Sequence, residues 1–183
     1  MFKPLIKGTY YILHPRPVVL ISATYGGVTD FMAASWVTPV SADPPMIAVA
    51  ISPRRYTHGL IVKSGEFAVT VLHVNDVNKI HTLGTISLKE RKDKLEVAGL
   101  RLKKCAKIST YIVENALAFM ECKVVDKVTA GDHDLFIGEV INAGVKEGVI
   151  LKEPTSYTIP LHIGKELYTT PSSLIIKAKS LIK

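Results

Sequence analysis

The pair Arg54-Arg55 is the strongest chemical signal in the chain. The run Met46 to Ser52 (MIAVAIS) reads as a buried strand, and Pro53-Arg54-Arg55-Tyr56-Thr57 follows it at once. Thr57 is a predicted N-cap for a short helix through Lys63, which Gly65 closes. A strand ending at Ser52, two guanidinium groups and a helix N-terminus together suit a phosphate dianion. Guanidinium groups give paired, charged hydrogen bonds. Hydroxyls and the unpaired N–H groups of the helix start supply the rest. A solvated loop before a capped helix accounts for the same residues, so spacing alone leaves both readings open.

Two further segments carry chemistry. In Phe31 to Thr38, Ala33, Ala34 and Ser35 are small and Trp36 follows. Small residues let a planar ligand approach backbone N–H and C=O groups closely. By itself this run reads first as tight strand packing, with Trp36 anchoring a core or an interface. In Gly131-Asp132-His133-Asp134 the Gly and Asp residues are turn formers, and a lone His there is more often structural. Its functional reading is a donor or proton relay at the mouth of a pocket. No GxSxG, HExxH, GxGxxG or P-loop occurs, which argues against hydrolase, Rossmann and P-loop readings.

These segments need a scaffold, and the pattern around them is mostly strand. Pro17 to Thr24, Phe31 to Val40 and Met46 to Ser52 are apolar on both faces, as expected of buried strands. Glu66 to Val74 alternates as a strand. Asn75 is a predicted cap for a helix carrying Val77, Ile80 and Leu83. Ser87 to Glu96 is charged and reads as a solvated helix or loop. Leu117 to Thr129 and Leu135 to Lys146 form a long hairpin joined by Ala130 to Asp134, and a short strand near Tyr157 to Ile163 precedes a helix from Ser172 or Ser173. Strands interrupted by short helices, with no βαβ rhythm, predict an antiparallel barrel rather than a Rossmann fold.

Composition sets the outer limits. The chain has 183 residues, 48% hydrophobic and 21% charged, which fits one globular domain spanning residues 1–183. Its formal charge is +7, concentrated in Lys89 to Lys107 and Lys177 to Lys183. No RNA-type aromatic signature or zinc spacing accompanies that charge, so no nucleic-acid partner is expected. Cys105 and Cys122 form no metal or CxxC pattern and read as reduced, partly buried thiols. With no signal peptide or membrane span evident, a cytoplasmic protein without a membrane partner is expected.

In order and spacing these segments resemble the flavin reductase-like family of FMN-binding split barrels, close to its flavoredoxin and ferric reductase branch. The resemblance runs from Pro15 to Leu161. It rests on Arg16-Pro17-Val18-Val19-Leu20, the Gly-rich turn with Asp30, Ala33 to Trp36 and Asp43-Pro44-Pro45. It continues through Ser52 to Thr57, Gly65-Glu66-Phe67, Asp93-Lys94-Leu95 and Gly131-Asp132-His133. It implies a mainly β, antiparallel Greek-key split barrel with short helices, and a homodimer holding FMN near its interface. Ser52, Arg54, Arg55 and Thr57, with Tyr56 between them, would surround the phosphate. Ala33, Ala34, Ser35 and Trp36 would border the ring and ribityl chain. Lys94 would contact the flavin, His133 would sit where nicotinamide approaches, and Tyr168 stands where relatives place an aromatic over the ring. Two positions depart from the family: Asp30-Phe31 replaces a turn that often carries Asn, and Leu95 replaces a Phe. The implied activity is hydride transfer from NADH or NADPH to FMN, with electrons passed to a small-molecule or protein acceptor. The alternative is an FMN-binding electron carrier that uses nicotinamide poorly.

Overall fold

The computed structural model describes residues 2–153 and 156–172. Twelve strands and three α-helices follow in chain order. They are β1 (Arg16–Pro17), β2 (Val19–Tyr25), β3 (Val28–Ala34), β4 (Val37–Ala42), β5 (Pro45–Ile51), α1 (Tyr56–Ser64), β6 (Glu66–Val71) and α2 (Val77–Thr85). Then come α3 (Lys94–Val97), β7 (Leu102–Lys104), β8 (Tyr111–Val113), β9 (Ala118–Ala130), β10 (His133–Val145), β11 (Leu161–Gly164) and β12 (Leu167–Thr169).

Seven strands form one antiparallel sheet in the order β3-β2-β6-β9-β10-β5-β4. The outermost strands β3 and β4 lie at opposite edges, yet only Ser35 and Trp36 separate them in the chain. Six inter-strand gaps would set the edges about 29 Å apart in a flat sheet. The link from Ala34 to Val37 reaches only about 10 Å. The sheet must therefore curl until its edges meet, which makes an antiparallel split barrel with its seam at Ser35–Trp36. One seam bond, Ala50 N–H to Trp36 C=O at 3.0 Å, ties the linker to β5.

The barrel interior holds Ile21, Val49, Ile51, Phe67, Val69 and Phe136, all buried, and α1 closes one side with Leu60 and Ile61. A second cluster, from Leu20, Phe31, Ile80 and Leu83, fastens α2 to the outside of β2 and β3. Leu83 and Ile80 are spaced to face the sheet together on α2. Both thiols are buried and free, and burial pushes each up to about 12.

Five expectations need correction. The N-cap of α2 is Asp76 rather than Asn75, because a 3-10 turn over Val74–Asp76 precedes the helix. The predicted strand Phe31 to Val40 is two strands, because the chain crosses the seam at Ser35–Trp36, and the second is largely exposed along the sheet edge. The N-cap of α1 is Arg55 rather than Thr57, because the turn from Ser52 C=O to Arg55 N–H (2.9 Å) starts the helix earlier. The hairpin turn is only Gly131-Asp132, with Gly131 at φ +64, and His133 already pairs with Ala130. The segment Ser87 to Glu96 is not wholly solvated, since Lys94 is among the most buried residues of the protein. The helix predicted beyond Ser172 lies outside the described residues.

Candidate functional site

A cavity of about 460 Å³ opens at the N-terminus of α1. Ser52, Arg54, Arg55, Tyr56 and Thr57 line one wall, Lys94 and Asp30 its floor, and His133 its rim. A smaller cavity of about 130 Å³ continues along the seam past Ala33, Ala34, Ser35 and Trp36 to Ser52 and His133. A third, about 240 Å³, lies beyond Ala33 and Ser35 and reaches Tyr168. Arg55 lines all three. The fold thus gathers every residue named from the sequence around one branched groove.

The helix start is built against the usual rule. Cations at a helix N-terminus oppose the positive end of the dipole, and acidic residues are preferred there. Here Arg54 and Arg55 stand at the start of α1, its first turn has no acidic residue, and no side chain caps it. Arg54, Arg55 and the first residues of α1, Tyr56 and Thr57, line the same cavity. Arg55 donates one hydrogen bond to Gly84 C=O (3.1 Å), and Arg54 Nε reaches Ser52 Oγ only at 3.5 Å. Neither forms a carboxylate ion pair among the described residues, although Arg54 stands near enough to Asp132 to help lower its carboxyl. Such an arrangement is stable when an anion fills it.

The floor is the opposite case. Lys94 donates to Asp30 at 2.9 Å, and both side chains are 2% exposed. Thr57 Oγ1 donates to the other oxygen of Asp30 at 2.6 Å. Burial lowers the Lys94 pKa, opposed by Asp30 and reinforced by the nearby Arg55. The Thr57 hydroxyl therefore spends its proton on Asp30, and Lys94 offers no free charge to a ligand. Both residues stay at the cavity wall as supports for the helix start.

At the rim, the rings of His133 and Trp36 lie 4.7 Å apart at 30°. His133 Nδ1 donates to Asp132 at 2.7 Å, which leaves Nε2 for a ligand, and the same bond holds the Asp132 carboxyl below its usual range. Trp36 is gripped on another side by Tyr10, at 5.6 Å between rings, and by the Arg16 guanidinium at 5.5 Å. One residue beyond His133, buried Asp134 accepts from His58 Nε2 (2.8 Å), Thr129 Oγ1 (2.8 Å) and Lys127 Nζ (3.0 Å). Those three donors hold its carboxyl well below the carboxylate range, His58 first. Asp134 thereby ties the hairpin tip that carries His133 to the helix that faces the cavity.

Sequence reasoning passed over Ser87, Lys89 and Glu90, which line the large cavity, and His81 and His162, which line the third. A charged stretch reads as solvated when no partner is in view. No described cluster of His, Cys, Asp or Glu could hold a metal. No described helix is long and apolar enough to cross a membrane.

A rolled antiparallel sheet with a donor-rich groove along its seam is the architecture of the split-barrel flavoproteins. The model of the flavin reductase like domain matches residues 11–161, and the chain belongs to that family. It is 38% identical to an uncharacterized protein of Pyrococcus abyssi over 75% of this chain and 78% of that one. It is 29% identical to the reductase component of the 4-nitrophenol 4-monooxygenase/4-nitrocatechol 2-monooxygenase of Rhodococcus opacus, over 76% of this chain and 69% of that one. Among solved structures it superposes on the FMN-binding protein of Thermus thermophilus, solved with bound 1-cyclohex-2-enone, with a TM-score of 0.84 at 28% identity, covering 97% of each chain.

Proposed function

We propose that the protein binds FMN and works, as a homodimer, as a reductase that takes hydride from NADH or NADPH and passes electrons to an acceptor. The observation that carries this reading is the helix start of α1, where two arginines that form no carboxylate ion pair among the described residues line a cavity of about 460 Å³. That volume is within the range of small-ligand sites. Arg54, Arg55, Ser52 and the first N–H groups of α1 would hold the phosphate. The seam offers the edge of β3 at Ala33 and Ala34, followed by the linker residue Ser35, and no further described strand pairs with that edge. The backbone groups there would meet the polar edge of the ring.

When bound, the flavin supplies the redox centre, and the protein supplies position and electrostatics. Asp30, Lys94 and Thr57 keep the phosphate loop in place without adding net charge to it. Trp36 orients His133 by stacking, and Asp132 fixes which ring nitrogen of His133 faces the groove. His133 would then orient the nicotinamide amide at the rim. The belonging of the chain to the flavin reductase-like family and the reductase component among its relatives support the same reading.

The test is an absorbance spectrum of purified protein titrated with FMN, followed by anaerobic NADH or NADPH. Saturable binding and rapid bleaching of the visible flavin band are expected. Failure to bind FMN overturns the reading. Binding without bleaching, but with ready reduction by dithionite, replaces the reductase by an electron carrier.

A further inference from the structure

The third cavity has a lining unlike that of the phosphate end. It lies between Ala33 of β3, the linker residue Ser35, the last turn of α2, and the β11–β12 hairpin. Its polar groups include Arg55, His81, His162, Lys165 and Tyr168, and no carboxylate lines it. At about 240 Å³ it has roughly half the volume of its neighbour, which makes it too small for a second flavin nucleotide. Its aromatic lining comes from His81, His162 and Tyr168. The Tyr168 ring lies 5.2 Å from the His162 ring and 5.9 Å from the His81 ring, the latter at 90°.

Donors dominate this cavity. Tyr168 Oη and His81 Nδ1 are 3.1 Å apart. Whichever of the two holds the proton between them, the pair keeps one N–H or O–H to donate elsewhere. Burial raises the Tyr168 pKa, so the phenol stays protonated. His162 Nε2 donates to Lys165 C=O at 3.1 Å, which fixes its ring against Tyr168. Arg55 adds a guanidinium that no carboxylate neutralises. A space lined by three rings, rich in donors and free of carboxylates, suits a small ring compound with an electron-rich oxygen.

We propose that this cavity binds the electron acceptor, a small planar compound carrying a carbonyl or quinone oxygen, held by the His81–Tyr168 pair and Arg55. The proposal rests on the reading that FMN fills the two neighbouring cavities, since the acceptor must lie beside the flavin. It names the acceptor's chemical class and the side chains that select it.

The test uses protein loaded with FMN and two probes of one shape. 4-Hydroxyacetophenone carries the carbonyl, and 4-ethylphenol lacks it. Binding is measured by calorimetry and by the change in the flavin spectrum. The carbonyl probe should bind at least tenfold more tightly. His81→Leu should erase that preference without changing FMN affinity, and Tyr168→Phe, on a different element, should reduce it several-fold. Equal affinity for the two probes overturns the proposal. So does displacement of the probe by FMN, one for one, which would make this cavity the ring end of the flavin site. If the protein fails to bind FMN, the parent reading falls alone. The same titration on free protein then still decides whether the cavity selects a carbonyl, and no preference there overturns the proposal too.

Discussion

Lys94 and the pair Arg54-Arg55 line the same cavity, yet they stand in opposite electrostatic conditions. Lys94 is almost fully buried and matched by Asp30. The arginines are exposed, crowd a helix N-terminus, and form no carboxylate ion pair among the described residues. A buried cation without a partner would be lost to desolvation, so Lys94 must be paired. An exposed cation can wait for a ligand, because water screens it in the meantime. The contrast separates the two jobs: the charge that is satisfied holds the scaffold, and the charge that is unsatisfied marks the proposed anion site.

The largest test of that contrast is the double variant Arg54→Ala/Arg55→Ala. Charge-assisted hydrogen bonds contribute about 1.5–3 kcal/mol each. FMN affinity measured by fluorescence quenching should fall a hundredfold or more. The thermal midpoint of the free protein should hold or rise slightly, because two cations leave a helix N-terminus. Unchanged affinity would move the phosphate elsewhere. Lys94→Met should do the reverse. Removing one partner of a buried pair costs about 3 kcal/mol or more, so urea unfolding should show a large loss of stability. If the variant is as stable as the parent, the pair is not structural.

Smaller effects sharpen the other end of the groove. His133→Ala should slow reduction by NADH or NADPH about tenfold in stopped-flow mixing while FMN stays bound, a change of about 1.4 kcal/mol in barrier. An unchanged rate would return His133 to a purely structural role. The smallest effect concerns acid. The Asp134 carboxyl titrates lower in the folded protein than in the unfolded chain. Its stabilising contribution is therefore complete above about pH 4, the unfolded value, and is lost as pH falls from there toward the folded value. Thermal midpoints recorded between pH 6 and pH 3 should fall less steeply for Asp134→Asn than for the parent. Parallel curves would remove Asp134 from the acid response.

Much of this was open to reading from residue order. The apolar runs around Val19, Val49 and Val69 announced strands by their β-branched content, and Gly65 and Gly131 marked a helix end and a hairpin turn. The arginine loop was visible because its cations sit together in the chain. The Asp30–Lys94 pair was not, since 64 residues separate its members and a Lys inside a charged stretch looks solvated. His81, His162 and Tyr168 were equally scattered, and no spacing rule connects a helix to a hairpin some eighty residues later.

Residue order alone specifies the alternation of strands, the short helices and the local chemistry of the Ser52 to Thr57 loop, because those depend on neighbours in the chain. Which charges are satisfied is settled by the folded barrel. Curling the sheet until β3 and β4 met at Ser35–Trp36 brought Lys94 under Asp30, His133 onto Trp36, and Arg55 to the junction of three cavities. Whether a charged side chain supports the fold or waits for a ligand depends on burial and on partners distant in the chain, and both are set only when the barrel closes.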